Sequence, residues 1–533
     1  MAADESIQRV PLAKARELLI ACMPEMGIES VSVEAALGRV IAEPVFARLP
    51  SPHYRASAMD GIALRAADTL RTADGATIVL PVFDGPGAPG PEAACRVVDT
   101  GSPIPDWADA VVRIEDVRAR PDGYEVRAPV APGRDIRAIG EDVAAGALLI
   151  GVGRTVRAVD VGGLLATGVA RVAVRKQPRI TVLATGAEVI EPLAEDDIPR
   201  PGQVIEFNSR VLTSYASEWG ALVRYAGRVQ DDAGELAARM QRELALCDVL
   251  CVIAGSSAGR KDVTITALEA CGELLFRGIE VAPGRPAAGA RAGNKVVLAV
   301  PGYPVSAVVA YRELLKPAIA AALRRVPAPR RSVRAVVRRD LSSRLGVEEI
   351  IRVCLAFAAD GLVVAPLARG AGSIGTLVQA HGLLRIGPRC EGIAATSVVD
   401  IELLDDAFDP QEALVVGGSG NRVTAALETA LAAHRSPVYV SYLGRAERDA
   451  SAAVASGEAH LAFLTGSTAA QMRNFGVAYP LRDENGDERA IIVLSSALCS
   501  SPLGTRVHTA LGSEAFSSLA SQAGERLTIA RLE

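Results

Sequence analysis

The sequence predicts a multidomain protein of α/β and β units, and three observations carry that prediction. At about 150 residues per domain, 533 residues make three or four domains. Half of the residues are apolar and only 4% aromatic, with 49 glycines and 31 prolines, the usage of Ala/Val/Leu-packed α/β architecture with many tight turns. From Pro178 onward, short apolar strands alternate with amphipathic helices, the pattern of a doubly wound, mostly parallel sheet.

Taken in order, the chain opens with Leu12, Ala15, Leu18, Leu19 and Cys22 at helical spacing, followed by a second helical stretch around Val33–Leu37. Residues 45–145 change to short Val/Ile-rich runs punctuated by turn formers, which predicts a small β domain. Residues 146–177 contain a helix-bearing return, so 1–44 and 146–177 form a split N-terminal domain around the inserted one. Residues 178–326 hold the strands ITVLA, DVLCVI and KVVLAV with helices between them. Residues 327–406 revert to short strands and turns, and 410–533 make a further small α/β unit.

Formal charge is −5, from 57 basic and 62 acidic side chains, with no long Lys/Arg run; nucleic acid and anionic membrane are therefore disfavoured as main partners. The 8 cysteines are scattered without CxxC pairs, the usage of a reducing compartment, and give no zinc signature. No signal-peptide pattern opens the sequence, and Pro301-Gly302 and Pro304 break the apolar runs well short of the ~20 residues that span a bilayer, so a cytoplasmic protein is expected.

Candidate chemistry lies in the loops that follow the strands of residues 178–326. Thr185-Gly186-Ala187-Glu188 follows ITVLA, Asp231-Asp232 follows RYAGRV, and Gly255, Ser256, Ser257 and Gly259 follow DVLCVI, with Asp262 just beyond. Small residues there let the backbone turn and expose its N–H groups beside a helix N-terminus, an arrangement suited to phosphate. Three such loops, each with a carboxylate, suit a phosphate held through a divalent cation. Arg285, framed by two prolines, is either an oxyanion fork or a solvated surface arginine, and Ser306 in the loop from Pro301 and Gly302 is either a helix cap or a ligand contact.

These loops belong to a longer set of stretches: SAMDGIA (57–63), TGSPIPDWADAVVRIED (100–116), IRAIGEDVAAG (136–146), TGAEVIEP (185–192), AGSSAGRKDVT (254–264), APGRPAA (282–288) and PGYPVSA (301–307). In this order they resemble the molybdopterin molybdotransferases, the MoeA type and the E domain of gephyrin, over about residues 5–404. The resemblance implies an elongated split first domain, the inserted β domain, a molybdopterin-binding α/β domain and a β-barrel-like domain. It implies a homodimer with the cleft between the α/β domain of one subunit and the β domain of the other. The implied reaction takes adenylylated molybdopterin and molybdate, releases AMP in a magnesium-dependent step and leaves molybdenum on the dithiolene, with a molybdoenzyme or cofactor carrier as acceptor. By the same resemblance Glu188, Asp231 (or Asp232) and Asp262 hold the metal. Thr185, Gly186, Gly255, Ser257, Gly259, Pro301, Gly302 and Ser306 bind pterin and phosphate. Arg285 and Ser373 meet the molybdate oxyanion, and Asp60 and Thr100 reach across from the partner.

The sequence departs from the family pattern at three positions. Ala282 replaces the first of two basic residues in the anion loop, Arg55 stands where a carboxylate is usual, and Tyr303 replaces an asparagine. A lost charge beside a dianion weakens its binding by ~1–3 kcal/mol. Arg55 either opposes a metal role or replaces the lost charge, and Tyr303 either stacks on a planar ring or packs. The segment 410–533 resembles a truncated periplasmic-binding-protein-like domain with Gly417–Asn421 as its anion cradle or a plain turn. Ala282, Arg55 and this shortened tail also admit a non-catalytic molybdopterin- or molybdate-binding carrier or sensor.

Overall fold

The structure, a computed structural model, describes residues 9–254, 263–326, 329–418, 422–433, 438–444, 446–465, 476–482, 488–522 and 528–529. Two compact units result, one of residues 26–177 with 323–326 and one of the remainder.

In the smaller unit, the separated segments meet by antiparallel pairing of Ile28–Ser32 with Arg171–Arg175 and of Val45–Phe46 with Leu148–Ile150. Val33, Ile41, Ile150, Leu164 and Val172 bury the seam. The stretch expected to be helical near Val33 is a single 3-10 turn, Glu34–Ala36. Between these segments, Gly61–Leu64 is the central strand of a three-stranded sheet with Cys95–Val98 and Ala110–Arg113. A second three-stranded sheet supplies Leu80 and Val126 to the same core as Ile62 and Leu64.

The larger unit opens with helix α1 (Leu12–Cys22). Its sheet is formed by β1 (Arg179–Thr185), then, after α2 (Asn208–Glu218), β2 (Leu222–Val229), α3 (Ala233–Leu244), β3 (Val249–Ala254), α4 (Val263–Cys271), β4 (Glu273–Arg277), β5 (Ala288–Ala292), β6 (Lys295–Pro301) and α5 (Pro304–Ala322). Strand order is β2-β1-β3-β6-β5-β4, parallel through β6 and antiparallel beyond it. Strands β1, β3 and β6 are apolar almost throughout because helices cover both faces. Leu236, Met240 and Leu268 of α3 and α4 pack on Leu250 and Val252, and Trp219 beside α2 meets Tyr311 of α5 with ring centroids 5.5 Å apart. Helix α1, read from the sequence with the split segment, packs on α5 because its apolar stripe needs a partner.

Residues 332–403 close a five-stranded barrel: β7 (Ser332–Val337), β8 (Glu348–Ala358), β9 (Gly361–Pro366), then, after the short α6 (Ile374–Gln379), β10 (Gly382–Ile386) and β11 (Val398–Leu403). Closure comes from β8, which pairs with both β9 and β10. Arg385 of β10 pairs with Glu313 of α5 at 2.6 Å and with Glu402 of β11 at 3.0 Å, while Arg16 of α1 reaches Glu313 at 2.9 Å. Burial pushes the Glu402 carboxyl up, but Arg312, Arg330 and Arg385 more than offset this and hold it at about 2.

The C-terminal segment forms β12 (Ala413–Gly417), α7 (Arg422–Ala433), β13 (Tyr439–Tyr442), α8 (Glu447–Ser456), β14 (Leu461–Thr465), β15 (Gly476–Arg482), β16 (Glu488–Ser495) and, last, β17 (Thr528–Ile529). The sheet order is β13-β12-β14-β16-β15-β17, parallel across the first three and antiparallel after. One core joins it to the barrel: Cys354, Ala356, Ala365 and Leu367 pack with Val415, Leu443, Ala450 and Val454. Two buried histidines sit at this seam. Burial pushes His381 down to about 4; burial, with the nearby His381, takes His460 to about 3. Both are neutral when folded, whereas an unfolded histidine titrates near 6.5. Their contribution is therefore complete above that pH and declines as pH falls below it, two protons being taken up on unfolding. We expect stability to drop by up to about 2.7 kcal/mol per pH unit below pH 6. Denaturant melts at pH 7.5, 6 and 5 check this, and a flat profile contradicts it.

Candidate functional site

The carboxyl ends of β1, β3 and β6 converge on a cavity of about 390 Å³, the place where ligands enter open parallel sheets. Thr185 and Glu188 line it from the β1 loop, Ile253 and Ala254 from the end of β3, Gly302 and Tyr303 from the turn into α5, and Gly372 from the barrel. Val204–Asn208 completes the wall. The lining is largely apolar, with Glu188, Glu206 and Asn208 as its longer polar groups.

Local bonding explains why each group sits where it does. Thr185 Oγ1 donates to the Ile253 carbonyl at 3.1 Å, tying β1 to β3 at the cavity floor. Gly186 has φ +133°, and a Cβ there would stand 2.7 Å from Val189 Cγ2 and 3.1 Å from the Glu188 carboxylate. Only glycine holds that turn without moving its neighbours. Asn208 Nδ2 donates to the Gly302 carbonyl at 2.7 Å, while its Oδ1 is buried without a partner among the described residues. Glu206, 4% exposed, accepts from Ser209 N at 2.8 Å and also from Ser209 Oγ, anchoring the start of α2.

Pro301 ends β6 in register with Ala254 of β3. Helix α5 begins at Pro304, so Ser306 lies inside its first turn, 5% exposed, rather than at the cap position. Tyr303 packs beside Gly372, where a Cβ would be 3.3 Å from Tyr303 Cδ1, and stays half exposed at the cavity. Val305 N donates to the Ala371 carbonyl at 3.0 Å, so the barrel loop leading to Ser373 is fastened to the α5 N-terminus.

Other expected groups stand apart from this lining. Asp231 is exposed beyond β2, and its neighbour Asp232 caps α3 by accepting from Glu235 N at 2.8 Å. Arg285 is exposed; its carbonyl accepts from Ile279 N at 2.9 Å, which fixes the backbone and leaves the guanidinium to solvent. Ala282 lines a second cavity, also about 390 Å³, with Ser343, Arg344 and Arg369. Gly255, Ser257, Gly259 and Asp262 lie outside the described residues, as do positions 419–421 of the Gly417–Asn421 turn. Among the described residues no group of three or more His, Cys, Asp or Glu side chains gathers for a metal.

Within the smaller unit, Asp60 Oδ1 accepts from Thr100 N at 2.6 Å and Thr100 Oγ1 at 2.8 Å. The Thr100 backbone and hydroxyl hold the Asp60 carboxyl below its ordinary value. Arg55 donates to the Ala108 carbonyl, an architectural role inside the β domain.

Three contributors escaped sequence reasoning. Asn208 reads as an ordinary residue at a helix start, and Glu206 as a surface acid. Arg352, 1% exposed on β8, donates to the carbonyls of Ala368 at 2.5 Å and Gly370 at 3.1 Å and to Thr376 Oγ1 at 3.1 Å. It thereby braces the loop carrying Ser373, and its signal was a charge flanked on both sides by apolar residues, IIRVCLAFA, within its strand.

Comparison with known proteins agrees with this geometry. Residues 10–168 match the MoeA N-terminal region (domain I and II), 181–321 the probable molybdopterin binding domain, and 334–404 the MoeA C-terminal region (domain IV). Molybdopterin molybdenumtransferase 2 of Mycobacterium tuberculosis is 31% identical over 403 residues, 72% of this chain and 96% of the relative. The Staphylococcus aureus molybdopterin molybdenumtransferase is 24% identical over 415 residues, 76% of this chain and 98% of its own. A crystal structure of the molybdopterin biosynthesis MoeA protein from Pyrococcus horikoshii superposes with TM-score 0.65 at 27% identity, covering 75% of this chain and all of that one. With a relative of this identity covered almost end to end and the three family regions in order, the chain belongs to the molybdopterin molybdenumtransferase family.

Proposed function

We propose that this enzyme acts in molybdenum cofactor biosynthesis, inserting molybdate into adenylylated molybdopterin with release of AMP. The observation that carries this reading is the cavity at the ends of β1, β3 and β6, whose apolar walls and few polar groups suit a flat heterocycle bearing phosphate. Asn208 Oδ1, buried and unpartnered among the described residues, supplies an acceptor for a ring N–H. In the reaction water cleaves the phosphoanhydride, AMP leaves, and the dithiolene sulfurs bind molybdenum as oxide oxygens depart as water. Thr185 and the turn at Gly186 would receive the phosphates. Ser373 and Arg285 would meet the oxyanion, and Asp60 with Thr100 would act from the partner subunit.

Magnesium belongs to the same proposal. Mg²⁺ is usually held by one or two carboxylates together with substrate phosphates and water; Glu188 at the cavity would be one such ligand, with Asp262 and Asp231 as the other carboxylates of the proposal. When bound it would neutralise phosphate charge. Homodimer formation is also proposed: Phe46 and Leu148 stand opposite each other on paired strands, 52% and 58% exposed, an apolar face suited to a second copy.

The test uses purified full-length protein with adenylylated molybdopterin, magnesium and molybdate. AMP release that depends on both molybdate and magnesium is expected, and sedimentation should show a two-chain particle. Ala282 favours a second reading, a non-catalytic carrier or sensor, because the anion loop has one cation fewer than its family pattern. Tight pterin binding with no AMP above background would select that reading.

A further inference from the structure

We infer that the C-terminal segment, residues 411–533, positions the active-site loop of the barrel, with Gln379 as its positioning residue. The inference rests on the reading above that Ser373 faces the oxyanion.

Helix α6 connects the two. It has six residues, too few to be stable alone. None of them is buried, and Ser373 at its N-cap makes no side-chain capping bond. Its position must therefore be set by what holds its ends. At the N-terminal end, the Ser373 carbonyl accepts from Thr376 N at 3.0 Å and Thr376 Oγ1 at 2.7 Å, and Arg352 holds Thr376 in turn. A Cβ on Gly370 would stand 2.9 Å from Ser373 Oγ, so this loop has little slack on that side.

The C-terminal end is held from both sides: within the barrel Cys354 Sγ donates to the Gln379 carbonyl at 3.2 Å and His381 N to the Val353 carbonyl at 2.9 Å, and the C-terminal segment adds the bonds to the two side chains. Tyr442 N, on β13, donates to Gln379 Oε1 at 2.8 Å. Two residues further, His381 Nδ1 accepts from Leu355 N at 3.0 Å, which leaves the proton on Nε2 to donate to Ser441 Oγ at 2.7 Å. Ala380 between them packs into the core shared by barrel and C-terminal sheet. Strand β13 thus grips Gln379 and His381. With a rise of ~1.5 Å per residue, a displacement at Gln379 reaches Ser373 across only ~9 Å of helix. A family member ending after the barrel has no β13 and must fix this end differently.

The experiment uses the full-length protein carrying Gln379→Leu, Gln379→Glu or Ser441→Ala. Gln379→Leu deletes the acceptor and is expected to raise the molybdate concentration for half-maximal AMP release about three- to tenfold. Affinity for adenylylated molybdopterin should stay within about twofold, since this loop meets that ligand's cavity only at Gly372. Gln379→Glu keeps an acceptor oxygen and should restore the wild-type molybdate dependence. Ser441→Ala should act in the same direction as Gln379→Leu, and covers the case in which that variant does not fold. An unchanged molybdate dependence, or equal losses for both ligands, overturns the inference. Hydrogen exchange of residues 370–379 provides a readout that needs no turnover: faster exchange in Gln379→Leu supports the brace, and unchanged exchange overturns it. If the wild type shows no molybdate-dependent AMP release, the functional reading fails while the exchange result still decides the positioning role.

Discussion

Gly186→Ala is expected to lower AMP release about a hundredfold while the protein still folds. The glycine sits at φ +133°, and the added carbon would meet Val189 Cγ2 at 2.7 Å and the Glu188 carboxylate at 3.1 Å. An L-residue in that region costs of order 1–3 kcal/mol, which a large α/β core tolerates. The strain is relieved by moving what is mobile: Glu188, exposed at the cavity, swings away and the Thr185 turn opens. Misplacement of reacting groups by an ångström is enough for a hundredfold loss. Steady-state kinetics together with calorimetric titration of adenylylated molybdopterin provide the check. A variant with wild-type turnover would show that this turn does not organise the reaction.

The second large effect is Arg352→Leu. Burial pushes the Arg352 guanidinium down to about 10, and it remains charged at neutral pH. Leucine fills much of the space but removes the donor to the carbonyls of Ala368 and Gly370, which lie on exposed residues and can turn to water, and to Thr376 Oγ1; a hydrogen bond from a charged group is worth ~1.5–3 kcal/mol. We expect a loss of about 1–3 kcal/mol in unfolding free energy, measured by denaturant titration, and activity reduced further than the folded fraction explains. Arg352→Lys should rescue little, because one ammonium cannot span three acceptors that a planar fork reaches together. A leucine variant that unfolds with the wild type would remove Arg352 from the loop's support.

Much of the α/β sheet was legible because its signals are local. The runs ITVLA, DVLCVI and KVVLAV announce buried strands, and the small residues after them announce turns; Thr185, Glu188 and Gly302 accordingly line one cavity. What stayed hidden depends on partners distant in sequence. Nothing in LAKARELLIAC says that its stripe rests on α5 rather than on the segment beginning at Ile28. Asn208 and Gly302 are 94 positions apart, and only folding reveals that one donates to the other. The C-terminal segment was legible as strands and helices, but not as a body sharing its core with the barrel, because Cys354 and Ala356 read as ordinary barrel residues. Arg55 was undecided for the same reason: its partner is a backbone carbonyl at Ala108, which leaves no mark in sequence.

Strand β8 has a consequence for how this architecture can change over generations. Its eleven residues extend about 36 Å. Glu348 pairs with Val281 of the α/β domain, Val353 and its neighbours close the barrel, and Phe357 N donates to His460 of the C-terminal segment at 2.8 Å. One β-strand thus serves as a common axle for three bodies. A premature stop after the barrel would not return a smaller working enzyme. It would lay bare Cys354, Ala356, Ala365 and Leu367, an apolar face that invites aggregation. The C-terminal segment is thus part of the barrel's own solvent boundary, since the four side chains it covers are all apolar.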